Sequence, residues 1–146
     1  MPSEFVKEVA DVFAKDGPLS KVTANYTPRP SQIEFATSVA EALEKGKTLV
    51  AEAGTGTGKT FAYLVPALLK DQKVLISTAG KTLQDQLFTK DIPALLKALG
   101  MGCRVALLKG RSNYICKQRF RKIPTLLSLE KKSFIFIALR SLPDSP

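Results

Sequence analysis

The residues best suited to chemistry lie in one glycine-rich stretch, AGTGTGKT, between two apolar runs. It matches the Walker A pattern of phosphate-binding loops, although alanine stands where that pattern opens with glycine. Glycines let the main chain bend tightly and point amides at phosphate oxygens, and the following helix N-terminus adds its positive dipole. Lys59 can reach the β and γ phosphates, and Thr60 can offer a hydroxyl to Mg²⁺. The stretch therefore predicts a site for nucleotide and Mg²⁺ at Ala53, Gly54, Thr55, Gly56, Thr57, Gly58, Lys59 and Thr60.

Such a loop needs a strand before it and a helix after it, and the flanking sequence predicts both. TLVAEA (48–53) is an apolar run typical of a buried strand, and KTFAYLVPALLK (59–70) is a helix that Pro66 should kink. KVLIST (73–78) and CRVALL (103–108) predict two more strands, with helical sequence between them that divides near Pro93. Earlier helices are predicted after Ser3, as N-cap, and over residues 31–45. Strands that alternate with helices predict an α/β fold with a parallel sheet.

Three polar residues outside the loop are candidates for binding nucleotide or nucleic acid. Gln32 begins a helix, and its amide can both donate to and accept from an adenine edge; an ordinary exposed helix glutamine is the alternative. Ser77 and Thr78 end a predicted strand beside a helix N-terminus, where hydroxyls suit phosphate contacts. A simple helix cap explains the same two residues equally well.

Four stretches, RPSQ, LVAEAGTGTGKT, ISTAGKTLQDQL and ALLKGRSNYIC, together resemble the iron–sulfur helicases of superfamily 2, most closely the bacterial DinG/YoaA-type branch related to XPD. The resemblance covers roughly residues 20–120. It implies a P-loop NTPase (RecA-like) fold and an ATP-dependent DNA helicase that moves 5′ to 3′ on single-stranded or forked DNA in repair. By this resemblance Gln32 reads adenine, and Ser77, Thr78 and Gln84 touch the DNA strand. Cys116 would be one ligand of a [4Fe–4S] cluster.

The resemblance also implies a division of the chain. Residues 1–20 would be an N-terminal helix and linker, and 21–122 an incomplete first motor domain. Residues 123–146 depart from the family pattern, as a truncated or frameshifted gene product would. The sequence has no histidine and no adjacent Asp-Glu pair, so it lacks the acidic pair that ATP hydrolysis needs. We therefore expect an N-terminal helicase portion that binds ATP without hydrolysing it. A nucleotide- and single-strand-binding module without turnover, or a non-functional fragment, are the alternatives.

Charge and composition set the remaining bounds. The net charge of +9 is uneven: residues 1–100 hold 12 Lys/Arg against 11 Asp/Glu, and residues 101–146 hold 10 against 2. A basic end suits a polyanion such as DNA, and equally a solvated surface. No apolar run is long enough for a membrane span and no secretory signal is evident, so we expect a cytoplasmic protein. Two cysteines, Cys103 and Cys116, cannot hold a four-ligand cluster by themselves.

Overall fold

The first three helices begin at local signals that the sequence carries. In the computed structural model, which describes residues 1–114 and the backbone of 135–141, α1 spans Glu4–Val12, α2 Pro30–Lys45 and α3 Lys59–Leu69. The predicted Ser3 cap is confirmed: its Oγ accepts a hydrogen bond of 3.2 Å from the amide of Val6. α2 ends at Gly46, whose φ of 59° is the left-handed conformation that glycine adopts without strain. A 3₁₀ turn, Pro18–Lys21, lies between α1 and α2.

A second helical run joins two of the strands and changes its winding before a proline. It consists of α4 (Lys81–Gln86), a π-helical turn (Leu87–Asp91) and α5 (Ile92–Leu99). Pro93 lies in the first turn of α5. Because proline lacks an amide proton and its ring crowds the carbonyl four residues earlier, it disfavours a regular α-helix on its N-terminal side. The wider π turn relieves this conflict, which confirms the predicted division near Pro93.

The strands form a three-stranded sheet whose pairing differs from the expected one. Strands β1 (Val74–Thr78) and β2 (Cys103–Leu108) confirm two predicted strands, and β3 spans Ile135–Ser141. The order is β1-β3-β2, and both ladders are antiparallel. β1 and β2 therefore point the same way, as the βα alternation predicts, but β3 takes the hydrogen-bonding edges between them. The expected parallel pairing is thus corrected for the residues that the structure describes.

The strand predicted before the glycine loop is wrong. Residues 48–53 have no regular secondary structure and pair with no strand of the described chain. A β-strand exists only through hydrogen bonds to a neighbour, and apolar character cannot supply that neighbour. Leu49 and Val50 are consequently 41% and 92% exposed.

The core lies between the helices and one face of the sheet. α2 packs against both α1 and α3, and α5 contacts α3. The largest fully buried side chains of this cluster include Phe13, Leu19, Leu64, Leu87 and Leu95. The side chains of β1 and β2 alternate between half-buried and exposed, as in a sheet covered on one face only. Packing of α2 on α3 brings the start of α2 next to the glycine loop.

Candidate nucleotide-binding site

The glycine loop bends at two left-handed residues just before α3. Gly56 has a φ of 76° and Gly58, the N-cap of α3, a φ of 78°. Residues with a β-carbon adopt this conformation at a cost, so the bend depends on glycine. The Oγ1 of Thr57 donates to the carbonyl of Gly54 at 2.9 Å and closes the turn. In the described part of the chain, the amides of Gly56 and Gly58 donate no hydrogen bond, which leaves donors at the mouth of a helix N-terminus, as anion binding requires.

Lys59 folds back over the loop. Its ammonium group donates to the carbonyls of Ala53 and Gly54, the latter at 2.9 Å. The lysine is therefore at the loop, as predicted, and its charge is held by neutral carbonyl oxygens alone. A phosphate oxygen is a stronger partner for an ammonium than a neutral carbonyl, because the bond joins two ions. A phosphate oxygen could therefore replace these carbonyls as the hydrogen-bond partner of the Lys59 ammonium.

The start of α2 holds the other half of the loop. The Nε2 of Gln32 donates to the carbonyl of Gly58 at 2.9 Å, and the side chain is only 7% exposed. Arg29, one helical turn earlier, donates from its guanidinium to the carbonyl of Gly56. This contact is not predicted from the sequence. The signal for it is the three-residue spacing of Arg29 and Gln32, which puts both on one face at the start of the helix. The structure thus directs Gln32 at the loop, and its role toward adenine stays a prediction.

A cleft of about 360 Å³ opens beside these residues. Its lining includes Gln32, Gly54, Thr57 and Lys59, with the carboxylates of Glu34 and Glu52 at its walls. Within the described residues, no group of three or more His, Cys, Asp or Glu side chains could hold a metal ion.

Thr60 is partly engaged by its own helix. Burial raises the pKa of Tyr63 above its ordinary value of 10.0, and a side-chain hydrogen bond with Thr60 works against that rise. The Thr60 hydroxyl is thus next to the phenol one turn further along α3. Coordination of Mg²⁺ by Thr60 stays a prediction.

The predicted nucleic-acid residues divide into two accessible ones and a buried one. Ser77 is exposed and Thr78 half-buried at the end of β1. Gln84 is 0% exposed, and its Nε2 donates to the carbonyl of Leu108, at the end of β2, at 3.2 Å. The strand ends lie at one edge of the sheet, because β1 and β2 run in the same direction on either side of β3. In this conformation Gln84 supports that edge from within. Ser77 is exposed at the edge, and the Oγ1 of Thr78 accepts from the amide of Gly80 at 3.4 Å, as in the predicted alternative of a helix cap.

The iron–sulfur prediction concerns Cys116, which lies outside the described residues. Cys103, the other cysteine of the sequence, is half-buried at the start of β2. A [4Fe–4S] cluster takes four thiolates. The two cysteines of this chain do not fit such a cluster.

A glycine loop with two left-handed residues, a lysine over its carbonyls and a helix directly behind it has the features of a P-loop, the phosphate-binding loop of nucleotide-binding proteins. Residues 33–141 match the DEAD/DEAH box helicase family, and the chain belongs to that family. This confirms the resemblance to DinG/YoaA-type helicases that the motifs indicate.

The curated relatives carry helicase names. The chain is 54% identical over 114 residues to the ATP-dependent DNA helicase YoaA of Escherichia coli, which covers 78% of this chain and 18% of that protein. It is 48% identical over 120 residues to the protein of the same name from Haemophilus influenzae, and the match covers 82% of this chain and 19% of that protein. It is 46% identical over 107 residues to the ATP-dependent helicase DinG of Mycobacterium tuberculosis, and the match covers 68% of this chain and 16% of that protein.

The chain spans less than a fifth of the length of these relatives. No solved structure matches it. None of the helices in the described part of the chain is long and apolar enough to cross a membrane.

Proposed function

We propose that this chain binds ATP with Mg²⁺ through residues 53–60, as the nucleotide-binding portion of a DNA helicase. The observation that carries the proposal is the loop itself. Gly56 and Gly58 form the left-handed bend, and the loop opens at the N-terminus of α3. The amides of these two glycines donate no hydrogen bond among the described residues. The residues present fit a triphosphate: a cation at Lys59 for the terminal phosphates and a hydroxyl at Thr60 for the metal.

The proposal extends to the kind of helicase. Relatives named ATP-dependent DNA helicase YoaA and ATP-dependent DNA helicase DinG support work on DNA. We propose 5′ to 3′ movement on single-stranded or forked DNA in repair for the protein of which such a portion is part. Ser77 and Thr78 are the proposed strand contacts, because their hydroxyls lie at an accessible edge of the sheet. Bound Mg²⁺ would neutralise the developing phosphate charge during hydrolysis.

Binding without turnover is the expected behaviour of this polypeptide. Hydrolysis of ATP needs a carboxylate on Mg²⁺ and another that activates water, and the sequence has no adjacent Asp-Glu pair and no histidine. We therefore expect saturable binding of a fluorescent ATP analogue in Mg²⁺ and no release of phosphate from radiolabelled ATP.

The test is a titration of the 146-residue chain with Lys59→Ala as its variant. Replacing the lysine removes the cation from the loop and should weaken binding by at least 10-fold, since a hydrogen bond between charged groups is worth about 1.5–3 kcal/mol. Lys47→Ala, an exposed lysine at the end of α2, removes the same charge away from the loop and should change affinity less than twofold. Absence of saturable binding by the unmodified chain would refute the proposal, and phosphate release that depends on Lys59 would refute the lack of turnover.

A nucleotide- and single-strand-binding module is the second candidate, supported by the excess of 10 basic over 2 acidic residues in 101–146. It predicts binding of a short oligonucleotide that weakens steeply with salt, because displaced counterions return to the phosphates. Oligonucleotide binding that is insensitive to salt would argue against it.

A further inference from the structure

We infer that Arg29 is a positioning residue for the phosphate loop: its hydrogen bond to the carbonyl of Gly56 fixes the direction of the peptide group between Gly56 and Thr57. The inference rests on the proposed nucleotide site and adds to it a residue outside the Walker A stretch. It assigns Arg29 to the polyphosphate part of the ligand, independent of the base.

The contacts alternate along the loop. Arg29 donates to the carbonyl of Gly56, and Gln32 donates to the carbonyl of Gly58 at 2.9 Å. Since a trans peptide group is planar, its carbonyl oxygen and its amide hydrogen point in opposite directions. The bond from Arg29 therefore turns the next amide, that of Thr57, away from α2. The carbonyl of Gly58 also accepts from the amide of Ala62 at 3.2 Å, so α3 orients that peptide group as well.

The backbone of Arg29 is held at a fixed position. Arg29 is the N-cap residue of α2, and its carbonyl accepts from the amides of Gln32 and Ile33 at 3.0 and 3.1 Å. Pro30 follows in the first turn, where its fixed φ favours a single helix start. The backbone of Arg29 thus moves with α2, and its side chain carries that constraint across to the loop.

The two halves of the loop are held differently. Lys59 supplies the bonds to Ala53 and Gly54, and it must leave them to reach a phosphate. The bond from Arg29 uses no group that we assign to a contact with the ligand. We expect it to persist when a triphosphate binds, so that the loop keeps its shape while Lys59 exchanges partners.

The experiment compares Arg29→Ala and Arg29→Lys with the unmodified chain, using inorganic tripolyphosphate and adenosine as competitors of a fluorescent ATP analogue. In Arg29→Ala we expect tripolyphosphate and ATP affinity to fall together by about 5-fold, with adenosine unchanged, which corresponds to about 1 kcal/mol for one hydrogen bond. Arg29→Lys should restore most of the loss, because an ammonium can also donate to the carbonyl. Lys47→Ala controls for the lost charge and should stay within twofold.

A second measurement needs no ligand. Amide NMR spectra of the nucleotide-free chain should show the Thr57 resonance shifted in Arg29→Ala and returned toward its original position in Arg29→Lys, with α1 resonances unmoved. An unshifted Thr57 amide would overturn the inference even if binding were weaker. Loss of ATP affinity without loss of tripolyphosphate affinity would overturn it too, since Arg29 would then act on the nucleoside. If the unmodified chain bound neither competitor, the proposed function would fail, and the Thr57 shift would still decide the role of Arg29.

Discussion

The close contact between Gly58 and Gln32 gives the sharpest prediction about the loop. A β-carbon built on Gly58 would lie 2.2 Å from the Nε2 of Gln32, whereas one built on Gly56 would meet no atom within 4 Å. Both glycines have nearly the same left-handed φ, 78° and 76°. Gly56→Ala is therefore a matched control for Gly58→Ala: the backbone strain is shared, and the collision is not.

The expected losses in the free energy of unfolding follow from the backbone strain and from the collision with Gln32. An L residue in the left-handed region costs about 1–2 kcal/mol, which is the whole expected effect of Gly56→Ala on the free energy of unfolding. Gly58→Ala adds the displacement of Gln32. Its side chain is flexible and can swing away, so the added cost is the lost hydrogen bond and the unpaired polar atoms of a residue that is 7% exposed, about 1–3 kcal/mol. The total for Gly58→Ala is about 2–5 kcal/mol.

Urea unfolding followed by circular dichroism measures both variants, and a double-mutant cycle isolates the contact. In a Gln32→Ala background there is no amide to displace, so Gly58→Ala should cost only the 1–2 kcal/mol of backbone strain. Equal destabilisation by Gly56→Ala and Gly58→Ala, or strict additivity of Gln32→Ala and Gly58→Ala, would show that the contact does not constrain the loop.

Three further predictions concern other parts of the chain. Burial raises the pKa of Asp91 above its ordinary value of 3.8. This carboxyl group therefore stabilises the fold below pH 3.8, and the stabilisation is lost as pH rises through the raised pKa. Asp91→Asn should raise the free energy of unfolding at pH 7 and flatten its dependence on pH, measured by urea unfolding. Ser77→Ala should weaken oligonucleotide binding in anisotropy titrations, and Gln84→Leu, at a buried site, should affect it less; the reverse order would refute this assignment. Leu64→Ala, at a fully buried core position, should lower the free energy of unfolding in urea by about 2–5 kcal/mol. Ala36→Leu, at another fully buried position, should lower it by about 1–3 kcal/mol. Only Ala36→Leu, one turn after Gln32, should also weaken ATP binding.

Local signals in the sequence were sufficient for the helices. Ser3 caps α1 with its own hydroxyl, Gly46 ends α2 in a left-handed conformation, and the winding changes before Pro93. Each of these is decided within a few residues by side-chain hydrogen bonds, by the freedom of glycine or by the missing amide of proline. The Walker A loop belongs to the same class, because its glycines make its bend a local property.

Strand pairing was not predictable in the same way, because it depends on residues far apart in the chain. Cys103–Leu108 has the apolar composition of a strand and is one, but nothing in it specifies that β3 rather than β1 lies beside it. Residues 48–53 have equally good composition and pair with no described strand. The contact of Arg29 with the loop was missed for the same reason, since it joins residues 27 positions apart.

The unpaired segment before the loop changes what determines the shape of the site. In the expected architecture a buried strand would hold the loop at its first residue, but residues 48–53 are largely exposed here. The loop is held from α2 instead, and α2 is held by its packing on α3 through small buried residues, Ala36, Ala40 and Ala62. Small side chains let two helices approach closely, and that approach brings Gln32 within 2.9 Å of the carbonyl of Gly58. The geometry of the phosphate site is therefore coupled to the helical core rather than to the sheet, so changes at the α2–α3 contact should reach nucleotide affinity while changes in β1 or β2 should not.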